Sequence, residues 1–219
     1  MIDLHTHSLF SDGELVPAEH LRRVEILGYT AVAITDHADS SNMDLIIPRI
    51  VKVAKDLNRY SKTTLIPGIE LTHVPPEMFA ELTAKARELG ALIVVGHGET
   101  VVEPVKSGTN QAAINAGVDI LAHPGFITGE EAALATEKGV FLELSGRKGH
   151  SLTNGHVAKV ALKSGTMLAI NADAHGPGDF MDEQRAKTVA LGSGIDDERY
   201  DQIREDMKIL VERVTRKSA

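Results

Sequence analysis

Short runs of apolar and β-branched residues recur along the chain at Ile2–Leu4, Ala31–Thr35, Leu65–Ile69, Leu92–Val95, Ile120–Ala122, Val140–Leu144 and Met167–Ile170. Most run without the polar alternation of a half-solvated sheet, and each predicts a strand buried on both faces. Segments with helical spacing and helix punctuation lie between them. Pro17 opens one that carries Leu21, Val24 and Leu27 and stops at Gly28; Asp44 to about Tyr60 presents Ile46, Ile50, Val53 and Leu57. Pro76 to Leu89 carries Phe79, Leu82 and Ala86, and Thr128 with Glu131 has the form of a capping box. Asn154–Lys163, Phe180–Leu191 and Asp197–Val214 complete the set. The chain reads as a β-α unit repeated seven times.

Such alternation calls for a parallel sheet, either doubly wound or closed into a barrel, and periodicity alone does not choose between them. No Gly/Ser linker or low-complexity tract divides the sequence. Residues 1–219 are therefore expected to form one domain whose last ~25 residues are a C-terminal helix.

Composition narrows the chemistry. With 31 acidic against 23 basic residues the net charge is −8, which disfavours binding of nucleic acid or of an anionic membrane as a main task. Cysteine is absent, so disulfides, thiolate nucleophiles, iron–sulfur clusters and sulfur-ligated zinc are excluded together. Any metal must be held by nitrogen and oxygen. The apolar runs fall far short of the roughly 20 residues of a membrane span. The opening Met-Ile-Asp-Leu-His lacks the basic region of a signal peptide, and the expected location is cytoplasmic.

Chemistry in parallel β-α folds gathers at the carboxyl ends of the strands. Seven of the ten histidines follow predicted strands closely: His5, His7, His37, His73, His97, His123 and His175. Asp12, Asp36, Glu70 and Asp173 join them at that level. Imidazole with carboxylate suits zinc, manganese or iron. His5-Thr6-His7 places two imidazoles on one side of a strand, because positions i and i+2 align, and Asp173-Ala174-His175 repeats the pattern.

These residues resemble the PHP family, the polymerase and histidinol phosphatase superfamily of metal-dependent phosphoesterases. Asp3-Leu4-His5-Thr6-His7-Ser8 with Ser11-Asp12-Gly13 is similar to its first motif, and Ile34-Thr35-Asp36-His37 to the second. Gly68-Ile69-Glu70 supplies a bridging carboxylate, Gly96-His97 and Ala122-His123-Pro124 resemble the third, and Asn171-Ala172-Asp173-Ala174-His175 the fourth. The resemblance implies a distorted (β/α)7 TIM-like barrel with its metal site at the C-terminal ends of the strands. It implies two to three divalent metal ions (Zn, Mn or Fe): His5, His7, Glu70 and Asp173 around the first, Glu70, His97 and His123 around the second, and Asp12, His37 and His175 around the third. A hydroxide held between the ions would attack phosphorus, with Glu70, Asp173 and His175 closest to the catalysis.

The implied activity is hydrolysis of a small phosphomonoester, histidinol phosphate or a similar compound. The alternatives are a phosphodiesterase or exonuclease and a non-catalytic, metal-stabilised subunit. Among the other polar residues, Arg147 in Ser145-Gly146-Arg147-Lys148-Gly149-His150 is the expected phosphate ligand, with Arg185 as its substitute and His73 at the substrate mouth. Asp36 is read as supporting an imidazole, and Glu143 as a rim carboxylate or an internal ion-pair partner. Glu19 and His20 are expected in solvent, and His150 and His156 beside a loop.

Overall fold

The structure, a computed structural model, describes residues 1–216. Its strands are β1 (Ile2–Asp3), β2 (Ala31–Ile34), β3 (His37–Ala38), β4 (Thr64–Leu71), β5 (Ile93–His97), β6 (Ile120–Ala122), β7 (Phe141–Ser145) and β8 (Leu168–Asn171). All pair in parallel in the order β1-β2-β4-β5-β6-β7-β8, with the short β3 alongside the end of β4. The helices are α1 (Pro17–Ile26), α2 (Met43–Leu57), α3 (Phe79–Glu88), α4 (Thr109–Ala116), α5 (Gly129–Lys138), α6 (Asn154–Ser164), α7 (Glu183–Gly192) and α8 (Asp197–Arg216). This is a nearly closed (β/α)7 TIM-like barrel.

The strands are continuous apolar runs because helices cover their outer faces and barrel side chains fill their inner ones. Every residue of β2, β5, β6, β7 and β8 is buried. Helix stripes such as Phe79, Leu82 and Ala86 of α3 seal the outside, each large buried side chain contributing about 1.5–3 kcal/mol.

Between β1 and β8 side chains replace the missing strand ladder. Leu4 N–H donates to Asn171 Oδ1 at 2.9 Å, and Ala172 N–H donates to Asp3 Oδ2 at 3.0 Å. Further up, His7 N–H donates to the Ala174 carbonyl at 2.8 Å. Asp3 lies wholly buried in this seam, and desolvation pushes its carboxyl up to about 7 against the pull of the His5 and Ala172 N–H groups.

Several boundaries differ from the sequence reading. The helix α4 goes unmarked in the periodicity because Thr-Asn-Gln-Ala-Ala-Ile-Asn-Ala carries little apolar contrast; Gly117, in the left-handed conformation, ends it. β4 and β5 run on through Glu70 and His97, so both residues sit in strands. α7 starts at Glu183 rather than Phe180, because Asp182 caps it by accepting the Arg185 N–H at 2.7 Å. The Thr128–Glu131 capping box is present. The C-terminal helix ends at Arg216, and the last three residues of the expected 1–219 span lie outside the described residues. His20, expected in solvent, is buried on α1 with its ring edge-on to Phe180 at 4.8 Å, whereas Glu19 is exposed and pairs with Arg23. Among the described residues no helix is long and apolar enough to cross a membrane.

Candidate metal centre

All nine residues of the implied ligand set meet at the carboxyl-terminal mouth of the barrel. Three groups of ligand atoms fall within metal-sharing distance: His5, His7 and Glu70; Glu70, His97 and His123; and His7, Asp12, His37 and His175. Asp173 joins His5 and His123 in a further group. At the floor, His5 Nε2 is 3.4 Å from Glu70 Oε1, and His7 Nε2 is 3.2 Å from Asp173 Oδ1. At the rim, Asp12 Oδ1 is 3.2 Å from His175 Nε2 and 3.6 Å from His37 Nε2.

The chain fixes which nitrogen of each ring faces the pocket. His5 Nδ1 meets Glu143 Oε1 at 2.8 Å, His37 Nδ1 meets Thr72 Oγ1 at 2.7 Å and Glu70 Oε2 at 2.6 Å, and His97 Nδ1 faces the Gly98 carbonyl at 3.2 Å. His175 Nδ1 lies 3.0 Å from the Asp173 carbonyl. Occupying Nδ1 in this way turns Nε2 inward on four rings, the arrangement that metal-ligating histidines use. Glu143 is fully buried and also accepts from Asn171 Nδ2 at 2.9 Å and from the His123 N–H at 3.1 Å. It is an internal brace under two imidazoles and does not face solvent.

Asp36 acts elsewhere than expected. Its carboxylate accepts from the N–H and hydroxyl of Ser8 at 2.7 Å each, and from the N–H and hydroxyl of Ser11 at 3.2 and 2.7 Å. It therefore shapes the loop that delivers Asp12 and supports no imidazole.

Charge and burial together ask for cations. Burial drives His7 and His123 well below the usual imidazole value, so both are neutral donors. Burial also acts against the charged form of His5, but the carboxylates of Glu143, Glu70 and Asp173 overcome it and hold that ring well above its usual value. Burial works against ionised Glu70, yet His5 and His37 hold it well below the usual carboxylate range, while burial raises Asp173. His5 Nε2, both His7 nitrogens, His123 Nδ1 and Glu70 Oε1 are buried without a hydrogen-bond partner. Buried polar atoms of this kind are costly unless something else occupies them, and a nitrogen- and oxygen-ligated divalent ion fits the donor set.

Backbone strain marks the same place. Among the described residues, the non-glycine positions with positive φ are His73 (52°), His123 (30°) and Asp173 (52°), and each turns a polar side chain toward the mouth.

Beside the Asp12–His37–His175 group opens a cavity of about 330 Å³ lined by Arg147, Lys148 and Arg185 together with Asp12, Glu14 and Asp179. Arg147 Nη1 lies 2.6 Å from His175 Nδ1 and donates to the Asp173 carbonyl at 3.1 Å. His73 and His150 reach the opposite side, where Glu103 lies between them at 2.9 and 3.4 Å. Hydrogen bonds from His97 and His73 bring the Glu103 carboxyl down to about 2 despite its partial burial. Glu103 escapes sequence reading: it sits in an irregular segment six residues past His97 with no motif around it. His150 is buried, with Nδ1 2.8 Å from Thr100 Oγ1 and its ring stacked on His123 at 4.1 Å. His156 meets the Ile127 carbonyl away from the mouth.

Known proteins place the chain in context. The PHP domain matches residues 3–122, a span that holds six of the nine implied ligands. A protein of Methanocaldococcus jannaschii described only as uncharacterized is 49% identical over 195 residues, covering 88% of this chain and 89% of that protein. The DNA polymerase/3'-5' exonuclease PolX of Bacillus subtilis is 26% identical over 212 residues, and the match spans 37% of its length. Two solved structures share the fold. One is a histidinol phosphate phosphatase from Lactococcus lactis complexed with zinc, L-histidinol and phosphate (TM-score 0.60, 16% identity, 89% of this chain and 94% of that one). The other is a chain of an archaeal ribonuclease P with mature tRNA (TM-score 0.73, 17% identity, 98% and 91%). With its family match over more than half its length, the chain belongs to the PHP domain family.

Proposed function

We propose that this protein is a metal-dependent hydrolase of small phosphomonoesters, histidinol phosphate or a compound like it. The observation that carries the reading is an adjacency: a buried set of inward-turned imidazoles and carboxylates, and directly beside it a cavity to which Arg147, Lys148 and Arg185 bring cations among the carboxylates of Asp12, Glu14 and Asp179. Two to three divalent ions, zinc, manganese or iron, would be held by His5, His7, Glu70 and Asp173, by Glu70, His97 and His123, and by Asp12, His37 and His175. Ions so held neutralise phosphoryl charge and lower the pKa of water toward neutrality.

The residues of the chain do the rest. Glu143 and Thr72 keep His5 and His37 in register, and Asp36 keeps the Asp12 loop in place. A His175 that offers Nε2 as a ligand carries its proton on Nδ1, where the Asp173 carbonyl accepts it. Arg147 then has no acceptor on that ring; its Nη1 keeps the Asp173 carbonyl and its Nε lies 3.7 Å from Asp173 Oδ2, while its remaining N–H groups fork onto a phosphate in the adjoining cavity, which Arg185 also lines.

A phosphodiester of a nucleotide or nucleic acid is the competing substrate, favoured by the sequence match to part of a polymerase with exonuclease activity. Elemental analysis of the purified protein, followed by parallel screens of phosphomonoesters and phosphodiesters, tests the proposal. Turnover of diesters alone, or no turnover with a full metal complement, overturns it.

A further inference from the structure

Glu103 and His73 have no part in the nine-residue set, yet they build a ligand group of their own with one of its members. Glu103 Oε2 lies 2.9 Å from His73 Nε2 and 3.0 Å from His97 Nε2, while Oε1 is 3.4 Å from His150 Nε2. Two ligands bound tetrahedrally at about 2.0–2.2 Å from one ion sit roughly 3.3–3.6 Å apart, so the two Glu103 contacts need to open by only a few tenths of an ångström, and the three ligand atoms already lie within 4.8 Å of one another. Its setting differs from the floor of the site. The His73 and Glu103 side chains are 40% and 36% exposed, against 2% for His97. His73 also has a positive φ of 52°, a backbone conformation that few non-glycine residues adopt.

His97 is common to two groups. Its Nδ1 faces the Gly98 carbonyl and its Nε2 meets Glu103, and the residue belongs both to the Glu70–His97–His123 group and to the His73–His97–Glu103 group, so Nε2 is the nitrogen left to serve either. A single lone pair serves one ion at a time. We propose that His73, His97 and Glu103 form a solvent-facing metal-binding position, exclusive with the inner one at Glu70, His97 and His123, from which a divalent transition ion is passed inward. The proposal rests on the metal-binding reading above and adds an outer position to it.

Equilibrium dialysis of the full chain against Zn²⁺ followed by elemental analysis, together with the rate of Zn²⁺ uptake by metal-free protein, tests this. His123→Ala disables the inner position, and its ion is expected to be retained outside, so the zinc count stays at the wild-type value. His123→Ala/His73→Ala is expected to bind one ion fewer. Should the buried, strained position 123 not tolerate alanine, His73→Ala alone decides the matter, since its side chain is exposed. Its zinc count should be unchanged and its uptake slower by roughly fivefold or more. Loss of an ion from His123→Ala alone, or wild-type uptake by His73→Ala, overturns the outer position and leaves the inner sites standing. A wild-type chain that binds no zinc instead refutes the metal-binding reading itself.

Discussion

His5 and Glu143, 138 positions apart in the chain and both fully buried, meet at 2.8 Å through Nδ1 and Oε1. The same carboxylate reaches Asn171 and the backbone of His123, so one side chain from β7 sets two of the imidazoles that face the floor of the site. Glu143→Gln presents an amide N–H₂ to donors that now meet oxygens. Metal affinity should fall by about 10- to 100-fold with the fold retained, as dialysis against buffered zinc would register.

Glu70 faces His5, His37 and His123 at once. Glu70→Gln removes the carboxylate charge common to two of the ligand groups, so both metal content and turnover should collapse together. A variant keeping wild-type metal and rate would remove Glu70 from the bridging position.

Arg147→Ala is expected to spare metal content while lowering kcat/KM on the best phosphomonoester by roughly ten- to a thousandfold, the scale of a charge-assisted hydrogen bond of about 1.5–3 kcal/mol plus lost orientation. Unchanged kcat/KM would move phosphate recognition to Arg185.

The buried His20 predicts a stability profile. Burial lowers its pKa to about 4, whereas the unfolded chain takes up that proton near 6.5. Between those values the unfolded state binds the proton and the folded state does not. The contribution is therefore fully present above pH 6.5 and is lost as pH falls toward 4, reaching about 2 kcal/mol at pH 5. His20→Leu removes that proton and should make the fall of Tm between pH 7 and 5 shallower, leaving the share that the buried His7 and His123 contribute. Parallel profiles for variant and wild type would contradict the assignment.

Legibility in the sequence followed the physics of each position. Strands covered on both faces must be apolar throughout, so β2, β4, β5 and β7 stand out, and His37, His97 and His123 at or just past the ends of β2, β5 and β6 mark the mouth. Helix α4 does not, because its short, alanine-rich segment makes little use of an apolar stripe. The burial of His20 is not legible, because one imidazole on a helix carries no mark of the direction it faces, and Phe180, the ring that covers it, comes from a distant segment. The sequence marks Asp36 as a support but not for which group, since the serines it holds lie 28 and 25 residues earlier in the chain. Glu103 belongs to a loop, where no periodicity constrains a side chain and only the folded geometry brings it to His73 and His97.

The seam between β1 and β8 bears on the order in which the molecule assembles. Its hydrogen bonds join Leu4 to Asn171 and Asp3 to Ala172, across 167 and 169 positions, and the residues that follow on each side are His5, His7, Asp173 and His175. Contacts this distant in sequence carry the entropic cost of closing a loop of that length, which favours their forming after the local β-α units. A growing polypeptide thus carries His5 and His7 without Asp173 and His175 until the segment bearing that pair has been made. An ion that engages both sides of the seam can be captured only by the closed barrel, and by mass action it then acts as the clasp that keeps the seam shut.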